Sequence, residues 1–142
     1  MAETLQLEIV TPERLVVKAD AEEIQIPGMS GYLGVLPGHA PLITELAVGE
    51  ISYRAEGKVE RLAVAWGFAE VLPDKVTILA EVAEKAEEID VVRAREEKQQ
   101  AEEKLRKAGP GGDPEAQAML DRANARLAVA AKLNAEISHL VP

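Results

Sequence analysis

A chain of 142 residues is enough for one ordinary domain or two small ones. It has no cysteine, which excludes disulfides, thiolate zinc sites and cysteine nucleophiles, and no run of about 18 apolar residues that could span a membrane. The net charge of −9 sits wholly in residues 1–89, where 7 Lys and Arg face 16 Asp and Glu; such an acidic surface repels nucleic-acid phosphates and anionic lipid, and an aromatic content of 3% leaves no stacking platform for bases.

The chain opens with Met-Ala-Glu-Thr-Leu-Gln-Leu-Glu, which has neither the basic start and apolar core of a signal peptide nor the arginine content of a transit peptide. Leu5, Leu7 and Ile9 alternate with Gln6 and Glu8, the period of a half-buried strand. Thr11-Pro12-Glu13 marks a turn, and Leu15-Val16-Val17 is a short second run. Ile24 and Ile26 alternate with Glu23 and Gln25, and Pro27-Gly28 ends that strand. Ile51 and Tyr53 start another, Glu56-Gly57-Lys58 makes a hairpin turn, and Val59 to Trp66 returns with Leu62, Val64 and Trp66 on one face. Phe68 to Leu72 and Val76 to Leu79 flank Pro73-Asp74-Lys75, a tight reverse turn. Many short strands at this spacing predict a sandwich or barrel of antiparallel strands.

Near residue 82 the alternation ends, and alanine, glutamate, lysine and arginine take over. Asp90 through Lys107 reads as one helix, with Val91, Ala94, Ala101, Leu105 and Ala108 recurring at intervals of three and four around Lys98. Gly109-Pro110-Gly111-Gly112 stops it. Asp113, a good N-cap, and Pro114, suited to the first helical position, start a second helix running to about His139. Leu120, Ala123, Leu127, Ala130, Leu133, Ile137 and Leu140 form its apolar stripe. Both stripes are narrow and rich in alanine. At roughly 25 cal/mol per Å² of buried apolar surface, an alanine seam adds far less than a leucine seam. The sequence therefore predicts a hairpin able to exchange one partner for another at small cost.

The segment Pro27 to Leu42 holds four glycines and three prolines and reads as a structured loop over a small core, anchored by Leu33, Val35, Leu36 and Leu42. It is not a phosphate loop, because no Lys-Ser/Thr pair and no helix follow the glycines. His39 in this loop has no nucleophile beside it in the sequence. With His139 the only other histidine, neither a triad nor a metal site is expected, and His39 reads as a packing or partner-contact residue. No catalytic residue and no metal site is assigned.

The run Gly34-Val35-Leu36-Pro37-Gly38-His39-Ala40-Pro41-Leu42 resembles the signature of the epsilon subunit family of F-type ATP synthases of the bacterial type. Gly67 through Ala80 is similar to that family's second recognisable stretch. The likeness covers essentially the whole chain, and Trp66 departs from it where the family usually has a small residue, often glycine. The resemblance implies an α+β protein: an antiparallel β-sandwich of about ten strands over residues 1–86, which docks on the gamma subunit and the c-ring, then a regulatory antiparallel two-helix hairpin over residues 87–142. It implies a non-catalytic subunit of the central-stalk rotor, coupling proton flow to ATP synthesis. Membrane contact would come only through the c-ring, on the cytoplasmic face of the bacterial plasma membrane; a plastid-encoded origin is the alternative. The loop carrying Gly31, Tyr32, Gly34, Pro37, Gly38, His39 and Pro41 is similar to the family region that touches the c-ring. The hairpin would fold against the sandwich or extend toward the catalytic alpha–beta hexamer, where it inhibits ATP hydrolysis.

Ile89-Asp90-Val91-Val92-Arg93-Ala94 matches the Ile/Leu-Asp-x-x-Arg-Ala pattern through which some epsilon subunits bind ATP. Glu84, Arg122 and Arg126 would join Ile89, Asp90, Arg93 and Ala94 in that reading, with no cofactor required and ATP as a regulatory ligand. Arg122 and Arg126 are four apart on one helical face, Arg93 adds a third guanidinium if the hairpin folds, and guanidinium groups suit phosphate oxygens. Asp90 would take the adenine amino group or the ribose. The plainer reading makes Asp90 a helix N-cap, Ile89 a hydrophobic staple to Ala94, and the arginines solvated charges. Alternatively, Arg122, Arg126 and Lys132 meet acidic loops of the catalytic beta subunit. Two readings from other classes stand beside the rotor subunit: a free-standing ATP-sensing protein, and a hydrolase using His39.

Overall fold

A computed structural model describes residues 3–140, with side chains described to Ile137. Eight strands precede two helices, in chain order β1 (Leu5–Val10), β2 (Leu15–Ala21), β3 (Glu23–Gly28), β4 (Gly31–Val35), β5 (Leu42–Glu45), β6 (Gly49–Ala55), β7 (Lys58–Val71), β8 (Lys75–Lys85), α1 (Val91–Lys107) and α2 (Pro114–Leu140). The strands hydrogen-bond in the order β2-β1-β8-β7-β6-β3-β4, with β5 on the far half of β7. Pairing is antiparallel except between β1 and β8, which run parallel. The sheet closes over itself: β2 and β6, far apart in that order, touch across the interior. Leu5, Leu7 and Ile9 fill that interior together with Ile24, Ile26, Ile51, Leu62, Val64 and Ile78. Tyr53 joins this core, and its burial, with Glu60 and Glu87 nearby, pushes its phenol above the ordinary value.

Local turn chemistry sets the registers. Glu56 and Gly57, both at positive φ, form a two-residue connection between β6 and β7 whose twist matches the strands it joins. The Leu72 N–H donates to the Lys75 carbonyl at 2.8 Å across the Pro73-Asp74 turn, and the Thr11 N–H to the Arg14 carbonyl at 2.9 Å across the Pro12-Glu13 turn.

Eight strands stand where about ten were expected, because two of them run long. Val59 to Trp66 and Phe68 to Leu72 read as separate runs, yet β7 passes through both in 14 residues. Its first half pairs with β6 and its second with β5, while β8 follows it along nearly its whole length. The change of partner falls at Trp66 and Gly67, at φ 55° and 135°. Trp66 thus occupies a left-handed backbone position that glycine adopts more easily.

The glycine- and proline-rich segment also differs from expectation. Gly31–Val35 is a strand, paired with β3 from Ile24–Val35 to Gly28–Gly31, and Leu42–Glu45 is another. The prolines fall at turn and strand-end positions, and Gly31, at φ 126°, turns the β3–β4 hairpin. Of the four expected anchors, Val35 is buried and Leu33 half-buried, but Leu36 and Leu42 face solvent. Between β4 and β5 the loop tip is fixed by the Gly38 N–H, which donates to the Pro73 carbonyl at 2.8 Å.

A Cβ on Gly67 would fall on the Leu79 carbonyl oxygen, and φ is unfavourable as well. Gly67→Ala is expected to destabilise the chain by more than about 2 kcal/mol. Gly109→Ala, with open space around it, should change stability by under about 0.5 kcal/mol. Urea unfolding midpoints of the two variants check the contrast.

Candidate functional site

The hairpin lies folded against the sandwich. Asp90 caps α1, its Oδ1 accepting the Arg93 N–H at 3.1 Å, and Asp113 caps α2 the same way through the Ala116 N–H at 3.1 Å. Within the hairpin Ala94 and Ala101 of α1 and Ala116 and Ala123 of α2 are buried, and α1 packs chiefly on α2. A second, small apolar cluster joins α2 to the sandwich: Val129 and Ala130 against Ala63 of β7, Ala86 and Ile89, with Val91 and Leu133 at its edge. Ile89, expected as a staple to Ala94, belongs to this cluster. Val129 lies outside the expected α2 stripe and is fully buried, whereas Ile137 of that stripe is exposed. Leu140 lies outside the described side chains.

Between these two seams sits a charged network. Arg126 is the one buried charged residue among the described residues, 7% exposed. Its Nε lies 2.8 Å from Glu84 Oε1 without hydrogen-bond alignment, its Nη2 donates to Glu84 Oε2 at 3.3 Å, and its Nη1 donates to Glu97 Oε2 at 3.2 Å. Arg122 Nη2 reaches the same Glu97 oxygen at 3.7 Å, and Arg93 Nε donates to Glu97 Oε1 at 3.2 Å. The Glu97 and Glu84 side chains are 16% and 28% exposed, that of Arg93 71%. Sandwich, α1 and α2 each contribute, so a guanidinium withdrawn from water ties three elements together.

Further along α2, Lys132 Nζ meets Glu50 Oε2 of β6 at 3.0 Å. Arg61 of β7 bridges that Glu50 oxygen at 3.3 Å and Glu136 of α2 at 3.0 Å. Cations of α2 thus rest on carboxylates of the acidic sandwich. The expected site residues Glu84, Arg93, Arg122 and Arg126 converge in space; Ile89, Asp90 and Ala94 sit at the start of α1 beside them, with Ile89 and Ala94 buried. Two residues were missed: Glu97, hidden in the run Glu96-Glu97-Lys98, and Glu50, whose partners lie on β7 and α2. For Glu97 a local signal existed, its i,i+4 spacing from Arg93.

The loop residues take no part in the Arg126 network and meet the charged contacts only at Glu50. Tyr32, Gly31, Gly34, Gly38 and Pro41 are exposed, Pro37 and His39 half-buried. Tyr32 Oη accepts the Glu50 N–H at 3.1 Å, and His39 Nδ1 is 2.7 Å from the Ala40 carbonyl. No nucleophile is bonded to His39 among the described residues, and nothing in the geometry develops it as a catalytic base. Among the described residues no group of three His, Asp or Glu could hold a metal ion, and no helix is long and apolar enough to cross a membrane.

Residues 4–86 match the family model of the ATP synthase Delta/Epsilon chain beta-sandwich domain, and residues 87–131 that of its long alpha-helix domain. The chain is 67% identical over 110 residues to the ATP synthase epsilon chain of Koribacter versatilis, covering 78% of each. It is 52% identical over 129 residues to that of Moorella thermoacetica, covering 89% of this chain and 96% of the relative. Its fold matches a chain in the cryo-EM structure of the Euglena gracilis mitochondrial ATP synthase, with TM-score 0.78 and 24% identity over 89% of this chain and 81% of the other.

Replacing Arg126 by Ala is expected to cost about 2–3 kcal/mol of hairpin docking, below the about 3–5 kcal/mol of a fully buried pair because Glu84 and Glu97 keep some water. Amide hydrogen exchange along α2 should then quicken by roughly 30- to 150-fold, with the sandwich amides unaffected. Unchanged α2 protection would show that the apolar cluster alone holds the helix.

Proposed function

The chain belongs to the Delta/Epsilon chain family of ATP synthases and is an epsilon chain; on that premise we propose that it serves as a non-catalytic rotor subunit whose hairpin is a movable brake. The sandwich docks on the gamma subunit and the c-ring, and the assembly lies on the cytoplasmic face of the bacterial plasma membrane, touching it only through the c-ring. Two surface features support docking. Ile43, Phe68 and Leu79 line one apolar cleft on the outer face of β5, β7 and β8, all of them exposed. The β3–β4 hairpin and the following loop expose Met29, Tyr32 and Leu36, large side chains on a backbone hydrogen-bonded to β3 and to the Pro73 carbonyl.

The observation that carries the brake is how the hairpin is attached. A core of five small and medium apolar residues and a set of ion pairs hold it, rather than a leucine seam. Such an attachment is exchangeable. Arg122, Arg126 and Lys132 are occupied by Glu97, Glu84 and Glu50 in the folded form. In the extended form they meet acidic loops of the catalytic alpha–beta hexamer, and the two sets of contacts exclude each other.

The convergence of three guanidinium groups supports the second element of the reading, a regulatory ATP whose phosphates bind Arg93, Arg122 and Arg126 and hold the hairpin down. The Asp90 cap does not conflict with a ligand contact, because a carboxylate has about four acceptor sites.

Deleting residues 90–142 should leave gamma binding intact and raise ATP hydrolysis by the assembled complex. Steady-state hydrolysis by complexes reconstituted with the full and shortened chains measures this; equal rates would end the braking role.

A further inference from the structure

Glu97 stands at the focus of the arginine cluster, yet the phosphate reading of those arginines gives it no part. It lies four residues after Arg93 on α1 and faces Arg122 and Arg126 across the seam with α2. One oxygen receives Arg93, and the other receives Arg126 and lies beside Arg122. Glu84 is different, because it meets Arg126 from the sandwich side and touches neither of the other two arginines. A carboxylate contacted by three guanidinium groups occupies the position that an oxygen of a bound phosphate would require.

We propose that Glu97 is a built-in counter-anion: it bridges α1 and α2 without a ligand and competes with any polyphosphate for Arg93, Arg122 and Arg126. This rests on the phosphate reading of the cluster given above. The charge count shows the direction. Three arginines against Glu84 and Glu97 leave a net charge of +1, and without Glu97 the cluster carries +2. A ligand phosphate must either push the Glu97 carboxylate out, losing its charge-assisted contacts, or stay beside it as a like charge. Both lower affinity. The same carboxylate supplies part of what a ligand would supply by bridging α1 and α2, so the folded hairpin depends less on a ligand than the three arginines alone would make it.

The test is isothermal titration of the full-length chain with inorganic triphosphate and with ATP at fixed ionic strength. Glu97→Gln should bind both probes at least about tenfold more tightly than the unaltered chain, about 1.4 kcal/mol. A further Arg122→Gln substitution should remove the gain. Equal gains for the two probes place the competition at the phosphates, while a gain for ATP alone overturns the assignment to the phosphate position. Glu97→Asp keeps the charge but withdraws it by one methylene, and should bind with intermediate affinity; it serves if the neutral variant loses α2 amide protection. If the unaltered chain binds ATP and no Glu97 variant binds more tightly, the nucleotide reading stands and the counter-anion is refuted. If no form binds either probe, both readings fail.

Discussion

A guanidinium taken out of water needs negative charge from more than one side, and the position of Arg126 decides where its neighbours must lie. Glu84 comes from the last strand of the sandwich and Glu97 from the first helix, so satisfying one cation fixes the distances between three elements. The apolar contacts around it are too small to do this alone. Val129, Ala130, Ala63, Ala86 and Ile89 exclude water but offer little shape to set a register. The polar network supplies the register, and the alanines let the backbones come close enough for it to form.

The two halves of the chain are therefore stabilised by different physics. The sandwich has a continuous core of isoleucine, leucine and valine and hydrogen-bond ladders that run unbroken from β2 to β4. Its contacts are mostly distant in sequence and mutually reinforcing. The hairpin is a local element, and what attaches it to the sandwich is largely charge against charge. That division places the exposed apolar surfaces on the part with the continuous core and the ion-pair contacts on the hairpin.

Local chemistry was readable in the sequence. The caps at Asp90 and Asp113, the hairpin turn read at Glu56-Gly57-Lys58 and the alternation through Leu5, Leu7 and Ile9 depend on neighbours a few residues away; each is in place, with Lys58 already the first residue of β7. What was hidden depends on distant pairing. Gly31–Val35 is rich in glycine, and only its ladder to β3 makes it a strand. The continuity of β7 through Gly67 comes from β8 running alongside. In the candidate site, the arginines came from the resemblance carried by the Ile89–Ala94 pattern, with which the four-residue spacing of Arg122 and Arg126 agrees. Glu97 looked like one acid among several on a charged helix, and only the fold gives it three partners. Glu50 is joined to Lys132, 82 residues away, a relation that no local pattern records.

The change of partner along β7 has an optical consequence. Trp66, the sole tryptophan, sits half-buried at the strand's change of partner and lines a cleft of ≈ 590 Å³ whose opposite wall is Asp121, Asn124 and Ala125 of α2. Lifting the helix removes that wall and leaves the indole facing bulk solvent on that side. The chain thus carries one native fluorophore at the joint between sandwich and hairpin, and a red shift of its emission would accompany any separation of the two.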